Sequence, residues 1–299
     1  MSDEKEWVTI RNRVCIGEIL FSIPTFIILA AFIIIIGVVV YYGAPVISVE
    51  FLTGNPGYRM LYGGEFMPYG GILPMIFGTL ALVTGAMCIA VPLGVLSAIY
   101  LNEYLHEGKF KSFINQTISN LAGVPSIVFG LFGFAFFSKQ LNFGVSLISG
   151  WFILGFMALP IIIKSTEEAL KTIPRGFREA SLALGATKWE TITSVVLPVA
   201  APGISTGTIL GVGRVAGETA AILFAAAIFY QSSLYPTSIF QPVMALTYHL
   251  YYEATSSPFA SVNRPYEFGT ALVLLGLVLL FSLAAIYIRN KSRKRRKGW

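Results

Sequence analysis

Five stretches of this chain carry no charged residue at all: Ile19–Val49, Phe66–Asn102, Ser112–Ser138, Gln140–Ile163 and Phe268–Ile288. A sixth apolar stretch, roughly 192–230, is interrupted only by Arg214 and Glu218. A helix needs about 20 apolar residues to cross the hydrocarbon core of a bilayer, and in lipid the backbone must satisfy its own polar groups, which a helix does. The pattern therefore predicts an all-α integral membrane protein with six transmembrane helices, near 19–42, 72–100, 113–137, 145–164, 202–229 and 267–288. Only 12% of residues are charged, against about 25% in soluble domains. The first apolar run is longer than the about 7–15 residues of a signal-peptide core and has no small-x-small cleavage site after it, so it reads as a retained anchor.

The basic residues give the orientation. With the N-terminus inside, the inner face holds Lys5, Arg11, Arg13, Lys109, Lys111, Lys164, Lys171, Arg175, Arg178, Lys188 and the tail from Arg289 to Lys297. The outer face holds only Arg59, Lys139 and Arg264. Lys and Arg concentrate on the cytoplasmic side of membrane proteins, so both termini are expected in the cytoplasm of a cell (inner) membrane. The net charge of +6 then reports topology. The run from Arg289 to Lys297 directly follows an apolar span and reads as an anchor for anionic lipids, with no nucleic acid invoked. Cys15 and Cys88 make no disulfide framework. His106 and His249 fall on opposite sides of the membrane, and no metal ligand set is apparent.

The chain divides into an N-terminal segment, first span and outer loop (1–70), a core (71–289) and a basic tail (290–299). The outer loops, Gly43–Gly71 and Tyr230–Tyr266, are rich in Gly, Pro and aromatic residues and read as irregular or interfacial loops, with no independent domain in them. One sizeable inner loop, about 165–201, has helical grammar. Pro174 suits a helix's first turn. Residues Arg175–Leu184 place Phe177, Ala180, Ser181 and Leu184 on one face. Gly185 can take the left-handed conformation that ends a helix. Thr187 and Glu190 fit a capping box, opening a second helix that Pro198 is expected to stop or kink. An amphipathic hairpin of this kind either packs under its own bundle or docks a soluble partner.

The same loop carries Glu179-Ala180-Ser181, Gly185 after three further residues, and Val195-Val196-Leu197-Pro198 nine residues on. This spacing resembles the coupling loop of ABC-importer permeases, with Ser181 for the second Ala and Val195 for Ile. The resemblance extends to Gly71-Ile72-Leu73-Pro74, Val91-Pro92-Leu93-Gly94, Ala98-Ile99-Tyr100-Leu101-Asn102-Glu103-Tyr104, Val124-Pro125-Ser126-Ile127-Val128-Phe129-Gly130-Leu131 and Gly213-Arg214-Val215-Ala216-Gly217-Glu218-Thr219-Ala220. The last two are similar to phosphate permeases. Gly217-Glu218-Thr219-Ala220, with Gln241-Pro242-Val243-Met244-Ala245-Leu246-Thr247-Tyr248, looks PstA-like, although Ala221-Ile222-Leu223-Phe224 departs from the commoner Pro-Leu-Leu. The resemblance implies a type I ABC-importer permease fold with cytoplasmic coupling helices. It implies that Glu179, Ala180, Gly185, Thr187, Leu197 and Pro198 serve ATPase coupling. It also implies a second, PstC-like permease, PstB-like ATPase subunits that bind ATP-Mg, and a PstS-like external phosphate-binding protein. A PstC-like identity, a permease for molybdate or sulfate, and an ATP-independent channel or secondary transporter remain as alternatives.

No G-x-x-x-x-G-K-[ST] segment is present to cradle ATP phosphates, so no cofactor is expected in this chain and the energy comes from another one. Gly203-Ile204-Ser205-Thr206-Gly207 formally matches a hydrolase elbow, but it opens a spanning helix and lacks a nearby His. Gly203, Gly207 and Gly211 instead have the every-fourth-residue spacing that lets membrane helices approach closely. Arg214 and Glu218 lie four residues apart near mid-depth of the fifth predicted span. They are read either as an ion pair on one helix face or as a pathway site, where the planar guanidinium meets phosphate oxygens.

Overall fold

The structure, a computed structural model, describes residues 2–60, 66–230, 236–255 and 264–294. Among these, five helices are long and apolar enough to cross a membrane: Phe21–Val46, Leu73–Tyr104, Leu147–Lys171, Lys188–Ala216 and Pro265–Tyr287. A sixth crossing is available from two helices that meet at 99°. The elements run as α1 (Ser2–Gly43), α2 (Val49–Thr53), a hairpin of β1 (Pro56–Met60) and β2 (Phe66–Gly70), α3 (Leu73–Ile99), α4 (Lys109–Ala122), α5 (Ser126–Gly133), α6 (Leu147–Lys171), α7 (Arg175–Ala183), α8 (Lys188–Thr191), α9 (Leu197–Ala216), α10 (Leu246–Thr255) and α11 (Arg264–Lys294). Three π-helical turns extend this framework: Tyr100–Tyr104 after α3, Phe134–Gln140 after α5, and Ile192–Val196 between α8 and α9.

Helices α3, α6 and α9 make the core. Leu82, Val83, Ala86 and Met87 of α3 pack with Ile153, Leu154 and Met157 of α6 and with Val215 and Ala216 of α9. The glycine stripe of α9 sets how close it comes to α6. A Cβ at Gly203 would run into Ala169, one at Gly207 into the Ser165 side chain, and one at Gly211 would lie 3.4 Å from Ile162 Cγ1. Ser205 Oγ, meanwhile, donates to the Ala201 carbonyl at 2.7 Å, as a serine within a helix does. Gly207→Leu is therefore expected to destabilise the protein by about 1–3 kcal/mol, the cost of overpacking. Gly213→Ala, at a position with nothing within 4 Å, should not lower the melting temperature. Thermal melting of the purified variants in detergent checks both. Helix α1, by contrast, exposes Phe26, Ile27, Ile28, Phe32, Ile33 and Ile34, as a helix apolar all round does when lipid is its solvent. It is fastened at its end, where Tyr42 stacks on Phe268 of α11 at 5.2 Å.

Four expectations need correction. The third span, 113–137, is broken. Gly123 ends α4, Val124 precedes a proline and is pushed away from helical geometry, and Pro125 enters α5 with ψ 140°. The fifth span lies earlier than 202–229, at Lys188–Ala216. Pro198 does not stop it, because the wide π turn at Ile192–Val196 falls where the proline ring would meet a carbonyl. The loop 43–71 is not irregular. It holds α2 and the β1–β2 hairpin, paired from Pro56↔Gly70 to Met60↔Phe66. Lastly, the middle of loop 230–266 belongs to the core. Val243, Met244, Ala245 and Leu246 are buried, and α10 follows them. The rest of that loop, 231–235 and 256–263, lies outside the described residues.

Residues 217–228 are non-helical and yet enclosed, with Ala221, Ile222, Ala225 and Ala226 all buried. Irregular backbone is tolerated at such depth only where protein satisfies it. Here Ser146 donates to the Ala225 carbonyl at 2.9 Å, Val243 to Ala226 at 3.0 Å and Ile228 to Val243 at 2.9 Å. The Thr79 hydroxyl of α3 accepts from the Leu246 amide at 2.9 Å.

Candidate functional site

Two places on this framework are chemically distinctive. The first is the hairpin α7–α8. Pro174 caps α7 with ψ 142°, one residue ahead of the expected first turn, and no residue of α7 is buried. Phe177, Leu182, Leu184 and Trp189 are all exposed, Leu184 to 90%. The hairpin therefore does not pack under its own bundle with this surface. Gly185 has φ +88° and open space around it, the left-handed turn that an L residue resists. The capping box forms: the Thr187 amide donates to Glu190 Oε2 at 2.7 Å and the Glu190 amide to Thr187 Oγ1 at 3.3 Å. Ser181 and Thr191 share a hydrogen bond of 2.9 Å that closes the hairpin. Glu179 and Ala180 are exposed, while Leu197 and Pro198 are half-buried at the root of α9.

Sequence reading missed how this hairpin is held. Arg178 Nε donates to both carboxylate oxygens of Glu103, at 3.2 and 3.1 Å, and Nη2 to Oε1 at 2.7 Å. Its guanidinium also donates to the carbonyls of Ile173 (2.8 Å) and Leu170 (3.0 Å) at the end of α6. Lys188 lies over the Tyr104 ring at 4.6 Å. The only signal in the sequence was the Glu103-Tyr104 motif itself, which carries no hint of its partner seventy-five positions away.

The second place is where α9 ends. Arg214 occupies its last turn and is exposed, and Glu218 lies beyond the helix terminus. The two are not a pair on one helix face, and no ion pair joins them among the described residues. Arg214 is also not mid-span, since the helix begins at Lys188 and ends at Ala216. Glu218 turns instead to the break in the third span. The Ser126 hydroxyl, at the start of α5, donates to Glu218 Oε2 at 3.2 Å, and the Ala221 amide to Oε1 at 3.4 Å. The Thr247 hydroxyl donates to the Glu218 carbonyl at 3.0 Å. Two interrupted helices thus meet at Ser126 and Glu218, with Arg214 one turn back in α9. Discontinuous helices whose ends face each other are a recurring way to build a substrate site in a membrane.

A bundle of spanning helices, a broken helix pair and a hairpin with exposed apolar side chains describe a multi-pass membrane protein. The chain belongs to the family of binding-protein-dependent transport system inner membrane components, whose model matches residues 90–297. It is 31% identical to the probable ABC transporter permease protein YqgI of Bacillus subtilis, over 92% of this chain and 95% of that one. It is 38% identical to the phosphate transport system permease protein PstA 1 of Mycobacterium tuberculosis, over 76% and 72%. Among solved structures, an inward-facing MetNI methionine ABC transporter chain superposes with a TM-score of 0.61 at 19% identity, covering 74% of this chain and 95% of that one. The fold is that of a type I ABC-importer permease.

Proposed function

We propose that this chain is a transmembrane permease subunit of an ATP-driven inorganic phosphate importer, of the PstA-like kind. The exposed hairpin α7–Gly185–α8 is the observation that carries the reading. It presents apolar side chains to water on a rigid, capped turn, which is a surface built for a soluble partner. We take that partner to be a PstB-like ATPase, with Glu179, Ala180, Gly185 and Thr187 at the contact and Leu197 and Pro198 at the root. ATP-Mg is bound by that ATPase. A PstC-like permease completes the pathway and a PstS-like protein delivers phosphate. The phosphate assignment draws on the PstA relative at 38% identity and on the guanidinium of Arg214, whose planar fork suits oxyanions. Glu218, at the junction of the interrupted helices, shares the pathway with it. The basic tail meets anionic lipids.

Reconstituted complexes in proteoliposomes are expected to take up labelled phosphate only with ATP and loaded binding protein, with molybdate and sulfate failing to compete. Competition by either oxyanion at equal concentration would reassign the substrate. The reading also places the hairpin and the tail in the cytoplasm, following the Lys and Arg bias. Cysteines at positions 185 and 295 should stay unlabelled by an impermeant thiol reagent in intact cells and react after permeabilisation. Labelling of either in intact cells would reverse the topology.

A further inference from the structure

Helix α7 has no buried residue, so apolar packing does not attach it to the bundle. Its attachment is polar: Ser181 shares a hydrogen bond with the buried Thr191 of α8, and the contacts to α3 and α6 come from one side chain. Arg178 spans from α7 to Glu103 at the end of α3 and to two carbonyls at the end of α6. The pair is largely shielded, with 18% of the Arg178 side chain and 8% of the Glu103 side chain exposed. Asn102 donates a further hydrogen bond to Glu103 at 2.8 Å. A bidentate guanidinium–carboxylate contact fixes direction as well as distance. A surface helix that needed only to be tethered would not require that geometry in a shielded place, where ionic groups cost desolvation.

The other end of the linkage is equally well held. Glu103 sits in the π turn Tyr100–Tyr104, whose Leu101 is buried with Ala98 and Ile99 against Leu170, Ile173, Ile192 and Val196. Lys188 of α8 grips the neighbouring Tyr104, so both helices of the hairpin bear on the same turn. From there the span Leu73–Tyr104 is one continuous helix. Its Leu82, Val83, Ala86 and Met87 share a core with Val215, Ala216 and Ile222, the residues that flank Arg214 and Glu218.

We propose that Arg178 and Glu103 are positioning residues that form the rigid link through which displacement of α7 reaches α3 and, along it, the Arg214–Glu218 region. This rests on the reading of the hairpin as the ATPase dock. The link differs from the docking surface itself, because Arg178 turns inward while Phe177, Leu182 and Leu184 face out.

The test uses the whole importer, with its second permease, ATPase and binding protein, in proteoliposomes. Arg178→Ala and Glu103→Gln are compared for ATPase retained on the permease, for phosphate uptake per assembled complex, and for phosphate moved per ATP hydrolysed. Both variants should keep the ATPase bound, while uptake per complex and phosphate per ATP each fall about tenfold, within the range of coupling energies such networks carry. A merely structural pair would lower the amount of assembled complex and leave phosphate per ATP unchanged, which would overturn the proposal. Release of the ATPase by Glu103→Gln would also overturn it, because the pair would then belong to the dock. Glu103→Gln keeps the side-chain shape and carries the test if Arg178→Ala does not accumulate. Leu184→Asp is the separate control for docking. It should release the ATPase, and if it does not, the docking reading fails while the two linkage variants still report on coupling within the permease.

Discussion

Replacing Arg214 with alanine is expected to reduce phosphate uptake at least about thirtyfold. A charge-assisted contact between a guanidinium and an oxyanion contributes about 2–3 kcal/mol, and each 1.4 kcal/mol is about a factor of ten. Assembly should be retained, because Arg214 is exposed at the last turn of α9 and joins no ion pair among the described residues. Glu218→Ala should be milder, about three- to tenfold, the loss of one or two hydrogen bonds. Its carboxylate contacts Ser126 and the Ala221 amide, so its removal loosens the meeting point of α5 with the unwound segment and strands no charge. The double variant should behave like Arg214→Ala alone. Uptake per assembled complex measures all three. Recovery of uptake in the double variant would mean that Arg214 serves only to balance Glu218.

The second large effect is at Gly185. With φ +88°, a β-branched residue there costs about 1–2 kcal/mol and drives the turn toward another conformation. Gly185→Val is expected to cut binding-protein-stimulated ATP hydrolysis about tenfold or more, in line with coupling energies of 1–3 kcal/mol. The permease should remain inserted, since nothing lies within 4 Å of a Cβ at that position. Glu179→Lys reverses an exposed charge on the same hairpin and should uncouple in the same way. Full stimulation in both variants would reduce the hairpin to a structural loop.

How much of this was legible in the sequence depends on how local the cause is. The apolar runs marked the spans because a bilayer imposes length on each one separately. The hairpin was legible because a cap, a glycine turn and a second cap are set by neighbours: Thr187 and Glu190 bond across three positions, as read. The break at Gly123-Val124-Pro125 stood in plain view, yet an apolar window sums over it. The end of α9 at Ala216 was hidden for a different reason. Residues 217–228 are as apolar as a helix, and only tertiary partners make them something else. Ser146, Val243 and Thr247 supply those partners from other elements. Thr79 likewise satisfies the Leu246 amide from a distance of 167 positions, which turns an expected loop into core. The Arg178–Glu103 link belongs with these. Each residue alone looks like an ordinary charge on the inner surface, and only the fold brings them together.

In the proposed function, the hairpin around Gly185 receives an ATPase that powers transport through this chain. A photoreactive amino acid at position 184, where Leu184 is 90% exposed, tests it directly in the transport-competent complex. An ATP-sensitive cross-link to the ATPase subunit is expected from position 184 and none from Leu280, which is exposed on the apolar flank of α11. A complex that imports phosphate while position 184 cross-links to no ATPase would contradict it.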